Sequence, residues 1–381
     1  MSARVLAVPR LLLPGGRWGG PAAVVIEAGR IGRVAAGAPA GAEVLTGGAL
    51  TPGLLDIHNN GAFGVDFATV DAKGWGRVLG GLARRGVTAV QPTVITAPLP
   101  DLLDALARIE SAPVVRHGAR VLGVHLEGPF LSPLRRGAHR ADWLQAPSEA
   151  ALDALLGHPA ARALRTVTLA PEVAGGMAAV RRLRAAGVVV SIGHSDATAD
   201  EAFAAAAAGA GMVTHLFNAM SPLGNRAPGV VGAALTDERL WCCLIVDGQH
   251  VDNVACRLAF RAAAGRVIAV TDSILAAGLV AGTRTVFGGM PVALDADGLC
   301  RRTDGTISGA GIVLDEGVRR MIAAGIAPGA VLRAATEAPA MALGRADLGR
   351  IAAGAAADLV WWDEEWRPRR VWIGGAEVPA G

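Results

Sequence analysis

The chain has 381 residues, 52% of them hydrophobic, with a net charge of +3. Its length suits a barrel of roughly 250 residues plus a smaller satellite. Basic residues are scattered and almost all are Arg, with Lys73 the single lysine and Tyr absent; without a dense basic run interleaved with aromatics, no nucleic-acid partner is expected.

Taken from the start, Leu11 to Leu13 form a short apolar run that Pro14 and Gly15 end, so no secretory signal is expected. Ala22–Ile26 and Ile31–Ala35 flank a Gly-Arg turn and predict a hairpin. Short apolar runs then alternate with helical stretches, the signature of βα units. Eight barrel strands are expected: Leu50–His58, Val87–Val94, Val121–Glu127, Arg165–Ala170, Val188–His194, Gly211–His215, Cys243–Asp247 and Val267–Asp272. Helices such as Leu102–Glu110, Met177–Ala186 and Asp200–Ala208 follow them.

The mean hydropathy of +0.41 is high enough that a membrane span has to be considered. The longest uncharged stretch, Ala202 to Asn225, contains His215, Asn218, Ser221 and Pro222. That is a poor match to a span of about 20 apolar residues, and no membrane partner is expected. The four cysteines, Cys242, Cys243, Cys256 and Cys300, lack metal-finger spacing. They read as reduced core residues of a cytoplasmic protein. After the last barrel strand, Thr283 to Leu299 predicts a hairpin insert, and Val313–Ala324 with Pro328–Leu343 predict closing helices. Strands return at Arg350–Ala352, Asp358–Trp362 and Arg370–Ile373. Neither chain end has enough strands for a stable sheet, so the two ends should pair into one small β-sandwich. The fold class is α/β: a (β/α)₈ TIM barrel over 51–347 of the metal-dependent hydrolase type, with 1–50 and 348–381 forming the small β-domain.

Several of the expected strands end in a group able to bind metal or move a proton, among them His58, Glu127, His194, His215 and Asp272. The C-terminal strand ends of a barrel converge on one mouth, so these groups should be neighbours in space. One carboxylate and two imidazoles, Glu127, His194 and His215, leave a coordination position open, as hydrolytic zinc needs. Asp272 then suits the general base. His125 shares the face of Glu127 and reads as packed support, whereas His117 and His158 read as surface residues.

The segments that carry these groups resemble those of N-acetylglucosamine-6-phosphate deacetylases of the amidohydrolase superfamily. They are His125-Leu-Glu-Gly-Pro-Phe130, Gly193-His-Ser-Asp-Ala-Thr198, Thr214-His-Leu-Phe-Asn-Ala-Met220 and Asp247-Gly-Gln-His250, with Arg136-Gly-Ala-His139 and Gly305-Thr-Ile-Ser-Gly309. Thr51-Pro-Gly-Leu-Leu-Asp56 and Ala357-Asp-Leu-Val360 mark the superfamily alone. The resemblance implies Glu127, His194 and His215 as metal ligands, Asp272 as catalytic acid/base and His139 near the acetamide carbonyl. It implies Asn218, Ala219, Arg226 and His250 around the sugar phosphate, with Ala138 and the Ile307, Ser308 and Gly309 backbone along the sugar. One divalent metal, Zn²⁺, and a homodimer are expected on the same ground.

The first strand departs from the superfamily's His-x-His. It reads His58-Asn59-Asn60, which leaves His58 as a possible second-site ligand and the metal count open. Dihydroorotase-like chemistry, which bridges two metals with a carboxylated lysine, is disfavoured because Lys73 lies in a predicted helix. Two other readings stay open: deacetylation of another N-acetylhexosamine 6-phosphate such as N-acetylgalactosamine 6-phosphate, and a non-catalytic sugar-phosphate sensor.

Overall fold

A computed structural model describes residues 3–380. Its centre is a barrel of parallel strands: β1 (Leu54–Asn59), β2 (Val87–Ile95), β3 (Val124–Glu127), β4 (Leu164–Leu169), β5 (Val189–Ile192), β6 (Ala210–Val213), β7 (Trp241–Ile245) and β8 (Val267–Val270). Each pairs with the next in parallel register from β1 through β8. Helices pack outside. The first, Ala72–Arg84, buries Trp75, Val78, Leu79 and Leu82, a spacing that puts one apolar stripe against the barrel. Asp71 starts it by accepting a hydrogen bond from the Gly74 amide.

The barrel closes differently from the other junctions. Between β8 and β1 the contact is a single bridge, Asn59 to Ser273, with the Asp272 amide donating to the His58 carbonyl at 2.9 Å. Below it lies a side-chain clasp. The fully buried Asp56 carboxylate accepts from the Thr271 hydroxyl at 2.6 Å and from Asn59 Nδ2 at 3.0 Å. Burial raises the Asp56 carboxyl above its ordinary value, and the Thr271 and Asn59 bonds work against that rise.

Several sequence expectations are corrected at their boundaries. The segment 50–58 is two strands: Ala49–Pro52 belongs to the small sheet and β1 starts at Leu54. Segment 121–127 is also split. Arg120–Val121 pairs low on β2, and the chain then turns through Gly123 (φ 103°) into β3. β5, β6 and β8 end two residues before His194, His215 and Asp272, because these three residues have positive φ (48°, 27° and 50°) and cannot continue a ladder. Pro328–Leu343 is two helices, Pro328–Ala334 and Glu337–Ala342. A continuous helix would press Pro339 against the Ala335 carbonyl, which instead accepts from the Leu55 amide at 2.9 Å.

The small domain is a β-sandwich built from both chain ends. One sheet has four strands, with Arg4–Val8 between Ala22–Glu27 and Glu43–Val44 and with Arg30–Ala36 at its edge. The hairpin turn is Ala28–Gly29, one residue earlier than expected, both with positive φ. The other sheet runs Ala376–Glu377, Pro368–Ile373, Leu359–Trp362, Ala49–Pro52, Leu11–Leu13, Arg17–Gly19. Arg350–Ala352 is not a strand; Gly349 and Gly354 turn the chain there, and Ile351 still packs into the sandwich core with Leu6, Leu50 and Trp372.

The insert after β8 is larger than a hairpin. Arg284–Phe287, Met290–Leu294, Leu299–Arg302 and Ile307–Ala310 form a four-stranded antiparallel sheet. Its last strand is tied to the barrel mouth, with the Ala310 amide donating to the Asp272 carbonyl at 2.9 Å. All four cysteines are free and buried, and burial pushes the Cys242 thiol up to about 11. No helix among the described residues is long and apolar enough to cross a membrane.

Thr271→Val should lower stability in chemical denaturation by roughly 2 kcal/mol, the worth of a hydrogen bond to a buried charged group. Thr271→Ser, which keeps the hydroxyl, should stay near the parent. An unchanged midpoint and slope for Thr271→Val would mean that the clasp does not hold the barrel shut.

Candidate metal centre and pocket

Glu127 is the last residue of β3 and is buried, with 3% exposure. Its Oε1 lies 2.9 Å from His215 Nε2 and 3.3 Å from His194 Nε2, and the two imidazole nitrogens are 3.1 Å apart. Three ligand atoms of one tetrahedral cation at roughly 2.0–2.1 Å would stand about 3.3 Å from one another, so this triangle has the size of a coordination face. The tautomer agrees. His194 Nδ1 is 2.8 Å from the Arg135 carbonyl, which can only accept. Nδ1 therefore carries the proton, and Nε2 presents a lone pair to the triangle. The His194 lone pair and a carboxylate oxygen 3.3 Å away repel unless a cation or proton lies between them.

The other carboxylate oxygen, Oε2, faces a second set. His58 Nε2 is 3.4 Å from it and 3.1 Å from Asp272 Oδ1. Burial opposes protonation of His58, yet the Asp272 and Glu127 carboxylates raise it well above the ordinary imidazole value. Burial alone would lift both carboxyls; the His58 charge and the surrounding hydrogen bonds instead hold Glu127 well below, and Asp272 below, the usual range. Asn60 Nδ2 donates to Asp272 Oδ1 at 2.9 Å. Where a second histidine would offer a lone pair, this side chain points an amide N–H.

His139 is buried, with Nε2 3.8 Å from Glu127 Oε2. Burial, and then His194, push its value down to about 3, so the ring is neutral. Its Nδ1 lies 2.8 Å from Thr96 Oγ1, and that hydroxyl donates to the Glu127 carbonyl at 3.1 Å. The Thr96 proton being spent, Nδ1 donates and Nε2 faces the pocket as an acceptor. Donation from His139 to a carbonyl oxygen therefore needs the opposite tautomer, with Thr96 turned toward Nδ1. The backbone makes room for this hydroxyl at Gly128, where a Cβ would come within 2.1 Å of Thr96 Oγ1.

His125 faces the barrel interior, as its alternation with Glu127 requires, and contacts Thr93 and Thr168 hydroxyls at 3.2 and 2.7 Å. Burial, and then His58, lower it to about 3. The Thr168 hydroxyl continues to Thr214 and Ser191, a chain of hydroxyls under the centre. The turn after His194 is anchored by Glu172, which accepts from Ser195 Oγ and the Asp196 amide at 2.7 and 2.6 Å. A capping box of Thr198 and Glu201 then starts the next helix.

One pocket opens above the centre. Glu127, His194, His215 and Asp272 form its floor; Ala138, His139, Asn218, Ala219, His250, Ile307, Ser308 and Gly309 line it. His250 is oriented by Asp247, whose Oδ2 lies 2.6 Å from His250 Nδ1, leaving Nε2 for the pocket. Arg226 is not brought here: it is exposed on the loop beyond Ala219 and lies outside the lining. Thr96 and Glu172 escaped the sequence reading because lone polar residues just past strand ends carry no spacing signal. Phe287, Met290 and Arg302 escaped because the insert was expected to be a hairpin, with no part assigned to it in the pocket. Lys73 is exposed on the first helix, away from the mouth.

Comparison with known proteins gives a match to the amidohydrolase family over residues 49–378. A bovine (Bos taurus) N-acetylglucosamine-6-phosphate deacetylase is 38% identical over 343 residues, covering 86% of this chain and 83% of its own. An N-acetylgalactosamine-6-phosphate deacetylase of Escherichia coli O157:H7 is 36% identical over 329 residues, 86% of each chain. Among solved structures, a point mutant of N-acetyl-D-glucosamine-6-phosphate deacetylase from Mycobacterium smegmatis, in complex with N-acetyl-D-glucosamine-6-phosphate, superposes with a TM-score of 0.93. It is 32% identical and covers 100% of both chains.

Thr96→Val should reduce turnover roughly 10-fold or more, the usual effect of removing a group that orients a site histidine. Thr96→Ser should restore most of it. A Thr96→Val enzyme with parental kcat would show that the hydroxyl does not set the orientation of His139.

Proposed function

The chain belongs to the amidohydrolase family, and we propose that it hydrolyses the acetamide of N-acetyl-D-glucosamine 6-phosphate to D-glucosamine 6-phosphate and acetate. One observation carries this reading. A Glu127–His194–His215 triangle of coordination size adjoins Asp272 at the floor of a pocket whose wall holds Asn218, Ala219 and His250. A divalent cation held by the triangle would supply Lewis-acid activation of water and of the amide carbonyl. Asp272 accepts the proton of the attacking water and returns it to the departing amine nitrogen. His139 lies against the acetamide, and the backbone at Ile307–Gly309, fixed to Asp272 through Ala310, borders the sugar. Asn218, Ala219 and His250 take the phosphate end, with Arg226 an exposed cation on the adjoining loop.

The reading includes one metal, Zn²⁺, in the triangle. Asn60 supports a count of one, because its N–H group occupies the Asp272 oxygen that a second site would use; His58 remains the residue through which a second ion would bind. A cytoplasmic homodimer is also part of it, supported by four buried free thiols and by exposed Leu134 and Val280. An intact acid/base beside a complete donor triangle favours an enzyme over a sugar-phosphate sensor.

The test is acetate release from N-acetylglucosamine and N-acetylgalactosamine, each with and without the 6-phosphate, before chelation, after it, and after metal add-back. Activity on the phosphorylated gluco sugar should be highest, should vanish with chelation and should return with one equivalent of Zn²⁺ per chain. Higher kcat/KM on the galacto epimer would reassign the substrate, and two equivalents surviving dialysis would overturn the single-site count. Asp272→Asn should keep the fold and metal content but lose at least about 10²-fold in kcat. More than a tenth of parental kcat at saturating metal would remove Asp272 from the proton-transfer role.

A further inference from the structure

The insert brings a cation into the pocket that no other feature of the site explains. Arg302 ends the third strand of the four-stranded sheet and lines the pocket together with Met290 and Phe287. Its side chain is 16% exposed. Among the described residues its guanidinium makes one ionic contact, Nη2 to Asp304 Oδ2 at 3.3 Å, and no hydrogen bond; Asp304 itself is 55% exposed. The neighbouring Arg301, on the opposite face of the strand, is by contrast committed to Asp295 at 3.1 Å and to the Gly305 carbonyl. A guanidinium offers five donors in a planar fork, so Arg302 is a largely covered cation with its hydrogen-bonding capacity unspent.

The strand register fixes where this cation stands. Ala310 is bonded to Asp272, Leu299 pairs with Ala310, and Arg301 pairs with Ile307. Arg302 therefore lies about three residues outward from the acid/base, roughly 10 Å at the usual rise of a strand. Under the deacetylase reading, a hexose whose C2 amide rests at Asp272 carries its C6 substituent outward in the same pocket, whose lining includes Asn218, Ala219, His250 and Arg302.

We propose that Arg302 is a substrate-binding residue that pairs its guanidinium fork with the anionic group at the far end of the ligand, and so sets the preference for a phosphorylated sugar. The proposal rests on the deacetylase reading for the identity of the ligand. Asp304 holds the guanidinium over the pocket until the anion replaces it. Charge-assisted, bidentate pairing is the geometry that arginine provides and lysine does not.

The test compares Arg302→Gln and Arg302→Lys with the parent on N-acetylglucosamine 6-phosphate and on N-acetylglucosamine. It also measures calorimetric binding of inorganic phosphate to each folded, metal-loaded protein. Arg302→Gln should lose about 10²-fold in kcat/KM on the phosphorylated sugar, mainly through KM, with at least a tenfold smaller loss on the free sugar. Arg302→Lys should recover part of that loss, and phosphate affinity should fall in the same order. Unchanged kcat/KM and unchanged phosphate affinity in Arg302→Gln would overturn the proposal, as would an equal loss on both sugars. Should the parent release acetate from neither sugar, the deacetylase reading fails, and phosphate binding alone then decides the role of Arg302. An Arg226→Ala protein run in parallel separates the exposed loop cation from the pocket one.

Discussion

The structure is organised around one buried carboxylate. Glu127 has imidazoles from His58, His139, His194 and His215 within 3.8 Å, contributed by the ends of β1, β5 and β6 and by the loop after β3. Taking such a group out of water costs several kcal/mol unless opposite charge accompanies it. His58, drawn toward its charged form by Glu127 and Asp272, provides part of that charge; a cation held by the donor triangle would provide the rest, and its binding free energy would then contribute to the stability of the folded chain. The two oxygens of Glu127 divide the neighbourhood, with Oε1 serving the donor triangle and Oε2 facing His58 and His139. The donor triangle and the His58–Asp272 pair thereby lie on opposite oxygens of one carboxylate.

Holding that arrangement strains the backbone. His194, His215 and Asp272 all have positive φ, as do Phe217 and Ala219 in the loop that lines the pocket. Non-glycine residues in this region cost of order 1–3 kcal/mol each and persist only where their surroundings over-determine them. Here the surroundings are identifiable. Glu172 clamps the turn after His194, the His58 carbonyl and the Ala310 amide bracket Asp272, and the Ser195 amide donates to the Ala219 carbonyl. These turns bring the His194, His215 and Asp272 side chains to the pocket.

The parts of the chain divide the work. The barrel supplies the ligands and the hydroxyl chain that supports them. The β-sandwich buries Leu6, Leu50, Leu359 and Trp372 between the two chain ends and lends no residue to the pocket. The insert sheet, anchored to Asp272 through Ala310, raises a wall over one side of the mouth. That wall brings Phe287, Met290, Arg302 and Ile307–Gly309 into the lining of the pocket.

The alternation of short apolar runs with helical stretches fixed the barrel in advance, and His58, Glu127, His194, His215 and Asp272 were legible because chemistry-bearing residues recurred where strands should end. Pairing of the two termini followed from each end having too few strands to stand alone. What sequence could not supply were relations between residues far apart in the chain. The Asp56–Thr271 clasp joins residues more than 200 positions apart, the Thr96–His139 contact depends on a loop folding back, and the insert's four-stranded form depends on Ile307–Ala310 bonding to the barrel mouth. Arg226 and Arg302 show the limit most directly. Both are arginines near glycines, Arg226 on a loop and Arg302 at a strand end, and the family resemblance implied the phosphate role for the first. Burial and orientation, which arise only when the sheet packs over the barrel, put the second in the pocket and left the first on the surface. A side chain's type is written in the sequence; the direction in which it points is decided by packing.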